Sequence, residues 1–396
     1  MRRKIEAIEL IRLHGSYAGV RLEPTSAALI LSEYNDFPEL EGVFTEFPFL
    51  EEQNEMSCDF LLIHDSVGDF GIVGPLGGGD VLRSIQGWRD ALVGKDIFDR
   101  SALACARQVV RHGYTGVTAA AFGLLECALF DLQSRALCVP AYALLGGQYS
   151  GKIKCYGSFL GVPTGDLAKV GSVAGRSSQV GFWGQKWALR ADPTLGETAI
   201  LQNVALAKCL VDVLPERSIL MFDALGRWDV SFSRRMMDAL TPFGILFIEE
   251  PLHPNQKMAY RKMQEWKAMA IARGEHLYSP NEFLDALPLD FAQPDVGWCG
   301  GLRDSLTIAN ICSIFGIPVL PHGASLVPAL HLAAACGESV IPSVEFHVTL
   351  ETRRQYFFKE KFFPTNGEIV LSENSGFGID IDWNRVSKKQ ILGDPV

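Results

Sequence analysis

The chain has 396 residues, 48% of them hydrophobic and 21% charged, with a formal net charge of −10. That length exceeds one ordinary hydrophobic core, so two domains are expected, and the acidic balance argues against nucleic acid or an anionic membrane as partner. Hydrophobic stretches look short and interrupted, which predicts no membrane span; nine scattered cysteines without a C-x-x-C pair suit mostly buried free thiols in a reducing cytoplasm.

The first stretch, MRRKIEAIELIRLHG, alternates Ile and Leu with polar residues after a basic start. That is a strand pattern and not the apolar core of a signal peptide. A second strand-like piece, DFLLIHDSVGDFGIVGP, begins at residue 59. Between the two, residues 16–57 include YNDFPELEGVFTEFPFLEEQNEM, acidic and aromatic without periodicity. A loop of this kind is expected to serve as a lid over a binding site. GPLGGGD at 74–80 has neither G-x-G-x-x-G spacing nor a Walker lysine, so it reads as a turn. Residues 1–115 are assigned to an α+β capping domain.

Residues 116–147, GVTAAAFGLLECALFDLQSRALCVPAYALLGG, carry a helix pattern that ends in Pro and Gly signals. Eight β-rich runs follow: KIKCYGSF, GQKWALR, SILMFDA, ILFIEEP, AIARGEH, FAQPDV, GIPVLPHG and SVEFHV. Helical runs such as ETAILQNVALAKCLVDVL and DSLTIANICSIFG lie between them. Strand–helix alternation repeated in this way predicts a parallel α/β barrel over 116–365, with 366–396 returning to the capping domain.

From the second run onward, each strand candidate ends in ionisable residues. In order these are Lys186, Asp223, the pair Glu249 and Glu250, then Glu275 with His276, Asp295, His322 and Glu345. Asp223, Glu249 and Glu275 are spaced 26 residues apart, the length of one strand–helix unit. In a barrel all these ends converge on the C-terminal face, where active sites are built. Neighbouring strand residues point to opposite sides, so one of Glu249 and Glu250 faces the cavity. Carboxylates from adjacent strands, with no cysteine and no H-x-H pair nearby, suit Mg²⁺ better than zinc.

The set MFDALGRW, FIEEP, GEH, QPDVGWCGGL and PHG, with ALFDLQSRALCVPAYALLGG before it, resembles the mandelate racemase branch of the enolase superfamily over nearly the whole chain. The resemblance implies a modified TIM barrel, (β/α)7β, under an α+β capping domain. It implies Mg²⁺ held by Asp223, Glu249 and Glu275, with His322 as general base and Asp295 as its partner. Glu345 would be the acid that hydrogen-bonds the substrate carboxylate. The GEH and PHG stretches are most similar to the acid-sugar dehydratases of this branch, rhamnonate-dehydratase-like enzymes among them. In such an enzyme His276 would be the acid for the leaving hydroxyl, and Lys186 a substrate contact.

One departure decides between reactions. Where the family carries K-x-K, this chain has Lys186 followed by Ala188, and Arg190 beyond is a poor base. Two-base racemisation lacks its second acceptor, so a one-base dehydration of an aldonate to a 2-keto-3-deoxy acid is expected. A racemase, epimerase or other isomerase is the alternative within the class, and a barrel that binds an acid ligand without turnover is the alternative outside it. A homo-oligomer is expected from the resemblance. His14, His64, His112, His253 and His331 are given ordinary structural roles; His347, two residues after Glu345, has substrate contact as its alternative.

Overall fold

The computed structural model describes residues 2–16, 55–77, 79–99, 101, 103, 104, 107 and 114–392. The lid expected over 16–57 falls on 17–54 and so lies outside the described residues.

Strands β1 (Ile5–Ser16), β2 (Glu55–Asp65) and β3 (Phe70–Leu76) form an antiparallel sheet. Both of its faces are buried, with Ile8, Leu10 and Leu61 on one and Ile11 and Phe60 on the other. Helix α1 (Gly79–Gln86) and the long helix α2 (Gly116–Ala136) complete this layer. Gly71 lets β3 approach α2 closely, because a Cβ there would overlap the Ala128 carbonyl oxygen. α2 is the one described helix long and apolar enough to cross a membrane, which the interrupted look of the sequence did not predict; 83% of its most apolar window is buried inside the molecule. It is a core helix shared by the two layers.

The barrel runs β4 (Lys152–Ser158), α3 (Leu167–Ser177), β5 (Gln185–Ala188), α4 (Glu197–Val213), β6 (Leu220–Asp223), α5 (Val230–Leu240), β7 (Ile248–Glu249), α6 (Lys257–Met263), β8 (Ile271–Arg273), α7 (Pro280–Ala286), β9 (Phe291–Ala292), α8 (Leu302–Ile314), α9 (Leu326–Cys336) and β10 (Val344–His347). All strand neighbours are parallel, and β10 pairs with β4 to close the ring. The seventh position, GIPVLPHG, is not a full strand. It contributes a single bridge, Val319 to Ala292. Pro318 and Pro321 bracket it and have no N–H to donate, so the ring is stitched there by Val319 N to Val340 O (2.9 Å), Leu320 N to Ala292 O (2.8 Å) and Glu345 N to Pro321 O (3.2 Å). Seven helices follow seven of the eight strand positions, the (β/α)7β arrangement, and a short turn of helix at Glu351–Arg354 follows the last strand.

After the barrel, β11 (Glu368–Val370) pairs antiparallel with β4, and β12 (Lys388–Ile391) then joins β1 at the edge of the capping sheet. The cysteines among the described residues are all free, and four of them (Cys127, Cys155, Cys299 and Cys312) are buried.

Candidate active site

Successive strand residues face opposite ways, so Lys186 and Ala188 on β5 share the barrel interior while Trp187 turns outward and stacks on Phe159, ring centroids 4.5 Å apart. Lys186 is fully buried. Its ammonium lies 2.8 and 2.6 Å from the two Glu249 oxygens and 2.7 Å from Glu345 Oε1. Gln293, on the strand beyond, donates to the same Glu249 carboxylate at 2.5 Å. Burial would push Glu345 up, but Lys186 and then His347, 3.1 Å away, outweigh it and hold the carboxyl well below its usual range. Glu345, expected as the acid that hydrogen-bonds the substrate carboxylate, is thus held between Lys186 and His347. Lys186, expected as a substrate contact, is ion-paired with Glu249 and Glu345 in this structure.

Asp223 and Glu249 stand in register on adjacent strands. Glu275 lies two residues past the end of β8. Burial pushes all three up, Asp223 to about 7, Glu249 to about 8 and Glu275 to about 7, and neighbouring carboxylates add to each while Lys186 or His322 opposes. An all-oxygen donor set with this much unbalanced negative charge fits a hard divalent cation. The three do not form the tightest cluster, however. Among the described residues, the trios whose donor atoms all fall within 4.8 Å of one another are Glu250 with Glu275 and His276, and His322 with Glu345 and His347.

Two histidine–carboxylate pairs flank Glu275. His322 Nδ1 lies 2.9 Å from Asp295 Oδ2 and its Nε2 3.1 Å from Glu275 Oε2. Asp295 is itself fixed, accepting from Gly297 N (3.0 Å), Ser325 Oγ (2.6 Å) and Ser325 N (3.2 Å). On the other side His276 Nδ1 sits 2.8 Å from Glu250 Oε2 and 3.3 Å from Glu275 Oε1. Burial would lower both rings. For His276 the Glu250 hydrogen bond outweighs it, giving about 9; for His322 Glu275 and then Asp295 do so, giving about 10. Glu250 reaches His276 because the backbone turns at that residue, with φ of +32°, a strained value for a non-glycine residue. Trp298 walls the space between the rings, its centroid 6.2 Å from His276 and 5.1 Å from His322. The capping layer reaches this wall through Gly123, where a Cβ would overlap the Gly297 carbonyl.

All eight residues expected from the sequence therefore meet at one end of the barrel. Four more join them: Glu250 as partner of His276, Gln293, Trp298 and the buried His347, whose Nδ1 lies 2.8 Å from Arg354 Nη1. Period two was the available signal for two of them, since Gln293 is two before Asp295 and His347 two after Glu345. His331 packs in the core, Nδ1 3.3 Å from Tyr142 N and Nε2 3.3 Å from Phe377 O.

A model of the enolase C-terminal domain-like family matches residues 174–385. A putative L-rhamnonate dehydratase of Caldivirga maquilingensis is 27% identical over 286 residues, 70% of this chain and 68% of that one. An arabinonate dehydratase of Saccharolobus solfataricus is 28% identical over 284 residues, 69% and 73% of the two chains. Among solved structures, a magnesium complex of a mandelate racemase/muconate lactonizing protein from Paracoccus denitrificans superposes with a TM-score of 0.80 at 20% identity, over 98% of this chain and 99% of that one. A magnesium complex of rhamnonate dehydratase from Gibberella zeae gives 0.76 at 22% identity, over 97% and 95%.

Proposed function

The chain belongs to the enolase C-terminal domain-like family, and from that premise we propose that it removes water from a sugar acid to give a 2-keto-3-deoxy acid. One observation carries the reading: two histidine–carboxylate pairs, His322 with Asp295 and His276 with Glu250, face the same space from either side of Glu275. Dehydration needs a base at C2 and an acid at the C3 hydroxyl, which is what two such pairs supply. The dehydratase names of both curated relatives support it.

Removing a proton beside a carboxylate places two negative charges on one small fragment. Asp223, Glu249 and Glu275 would hold Mg²⁺, which when bound supplies positive charge to that fragment. With Nδ1 donating to Asp295, His322 would present Nε2 as the base for the C2 proton once a cation held by Glu275 offsets the charge that raises the ring. The electron pair of the broken C2–H bond passes first into the carboxylate, giving an enediolate, and then returns to form the C2–C3 double bond as the C3–O bond breaks. His276, oriented by Glu250, delivers its proton to that oxygen, which departs as water, and the enol left behind tautomerises to the ketone. A racemase would need a second acceptor across the ring of groups, and Ala188 stands where the family's lysine would be.

Incubation with a stereochemical panel of sugar acids and Mg²⁺ should yield 2-keto-3-deoxy acids in a ketone-specific colour assay, and EDTA should stop it. Glu249→Gln should abolish turnover with the fold intact, since the amide removes charge without volume. Solvent deuterium entering C2 of an acid that never loses water would instead establish the epimerase alternative.

A further inference from the structure

The mouth of the barrel holds a cationic group that the reaction above does not use. β5 ends at Ala188 in register with Asp223, and Leu189 N donates to Asp223 O at 2.8 Å, so Arg190 emerges directly beside the reacting groups. Its Nη2 donates to the Leu160 carbonyl, while its buried Nε has no hydrogen-bond partner among the described residues. A cavity of about 490 Å³ lies next to it, between the loops that follow β4 and β5 and the flank of α4. Thr164, Gln202 and Asn203 contribute polar groups to its wall, and no described carboxylate lines it. Asn203 fixes the wall by donating to Ala191 O at 2.9 Å. The nearest acid in sequence, Asp192, is engaged by its own loop, accepting from Thr194 N at 3.0 Å.

We propose that this cavity is a second subsite, which holds an anionic group, carboxylate or phosphate, at the end of the substrate remote from the reacting carbons. The proposal rests on the dehydratase reading for the neighbouring centre. A half-buried guanidinium on the wall of a cavity that no described carboxylate lines favours an anionic occupant, and its planar fork matches an anion's paired oxygens. Burial and then the Arg227 guanidinium work against the charge on Arg190, with only Asp223 in its favour. An incoming anion relieves that imbalance; a neutral hydroxymethyl end does not. The cavity's volume lies within the range of small-ligand pockets. The substrates so selected are aldarates or ω-phosphorylated aldonates, and the simple aldonates rank below them.

Two measurements test this. Calorimetric titration of the metal-free protein with inorganic phosphate should show saturable binding that weakens about tenfold or more in Arg190→Gln, the loss of one charged hydrogen bond. Arg190→Lys, which keeps a charge and a donor near Leu160, should fall between, and the exposed Arg227→Gln should weaken binding two- to threefold by charge alone. Equal phosphate binding in wild type and Arg190→Gln, or none in either, overturns the subsite. With Mg²⁺, acids of matched stereochemistry that differ only at the far end should rank charged over neutral by about tenfold in kcat/KM, and the ratio should collapse towards one in Arg190→Gln. A higher ratio for the ω-phosphate than for the ω-carboxylate identifies a phosphate pocket, and the reverse a diacid; preference for the neutral end overturns the proposal. If no sugar acid is turned over at all, the dehydratase reading fails, and the phosphate titration still decides the subsite.

Discussion

The barrel interior has two layers made by the same strands. The floor is Tyr156, Met221, Phe247, Ala272 and Leu320, packed together and fully buried. Two residues further along the same inward faces stand Ser158, Asp223, Glu249, Gly274 and His322. One period of a strand separates a dry plug from the reacting groups. The difference teaches why the upper layer behaves as it does. Beneath it there is no water to solvate charge, so its carboxylates take up protons more readily than they do in solvent, and one lysine is shared between two of them.

Breaking the upper layer at its base should have the largest effect. His322→Asn is expected to lower turnover by about 10²–10⁴-fold, the scale of a positioned general base, and to stop exchange of the C2 proton with solvent deuterium. Exchange that persists in this variant would mean a second base exists, and would revive the epimerase alternative. His276→Asn should block product formation yet leave some C2 exchange.

The balance of charge in that layer comes next. Lys186→Met leaves Glu249 and Glu345 facing each other without a cation, and should cost about 3–5 kcal/mol in urea unfolding of the metal-free protein. A cost near zero would show that the carboxylates accommodate by protonation alone. The floor should respond in stability and not in chemistry: Met221→Ala is expected to cost about 2–5 kcal/mol through the cavity it opens, while the ratio of C2 exchange to elimination stays unchanged. A shift in that ratio would mean that the two layers are not separable.

The smallest effect concerns a histidine remote from both layers. Burial, opposed only by the bond to Phe377, lowers His331 to about 4, and its Nδ1 accepts from Tyr142 N, which requires the neutral ring. The folded state resists protonation that the unfolded chain accepts near 6.5. This contribution is therefore complete above about pH 6.5 and is lost as pH falls towards 4, by about 2 kcal/mol at pH 5. The melting temperature of His331→Phe should show a smaller decline over that window than wild type; an equal decline would place the acid sensitivity elsewhere.

Much of this was legible before the fold was seen. The 26-residue spacing of Asp223, Glu249 and Glu275 reports one strand and one helix per step, and strands of a parallel barrel bring such ends together. The seventh strand was overcalled, because GIPVLPHG has a strand's apolar content but its two prolines cannot complete a ladder. Glu250 reads from the sequence as the alternative to Glu249 at the strand end and not as a partner of His276, since nothing local announces the backbone turn that swings it there.

What the sequence by itself determined is the order of the elements and which residue faces inward on each strand, because hydrophobic period and turn residues are local properties of the chain. What only the tertiary structure decided is pairing: that Lys186 is spent between Glu249 and Glu345, that His276 takes Glu250, and that Arg190 lines a cavity with no described carboxylate on its wall. Those partners lie 26 to 159 residues apart along the chain, His276 from Glu250 by 26 and Lys186 from Glu345 by 159. Their distances are set by closure of the barrel, and the energy of a charge depends on what closure places around it and on how much water it leaves.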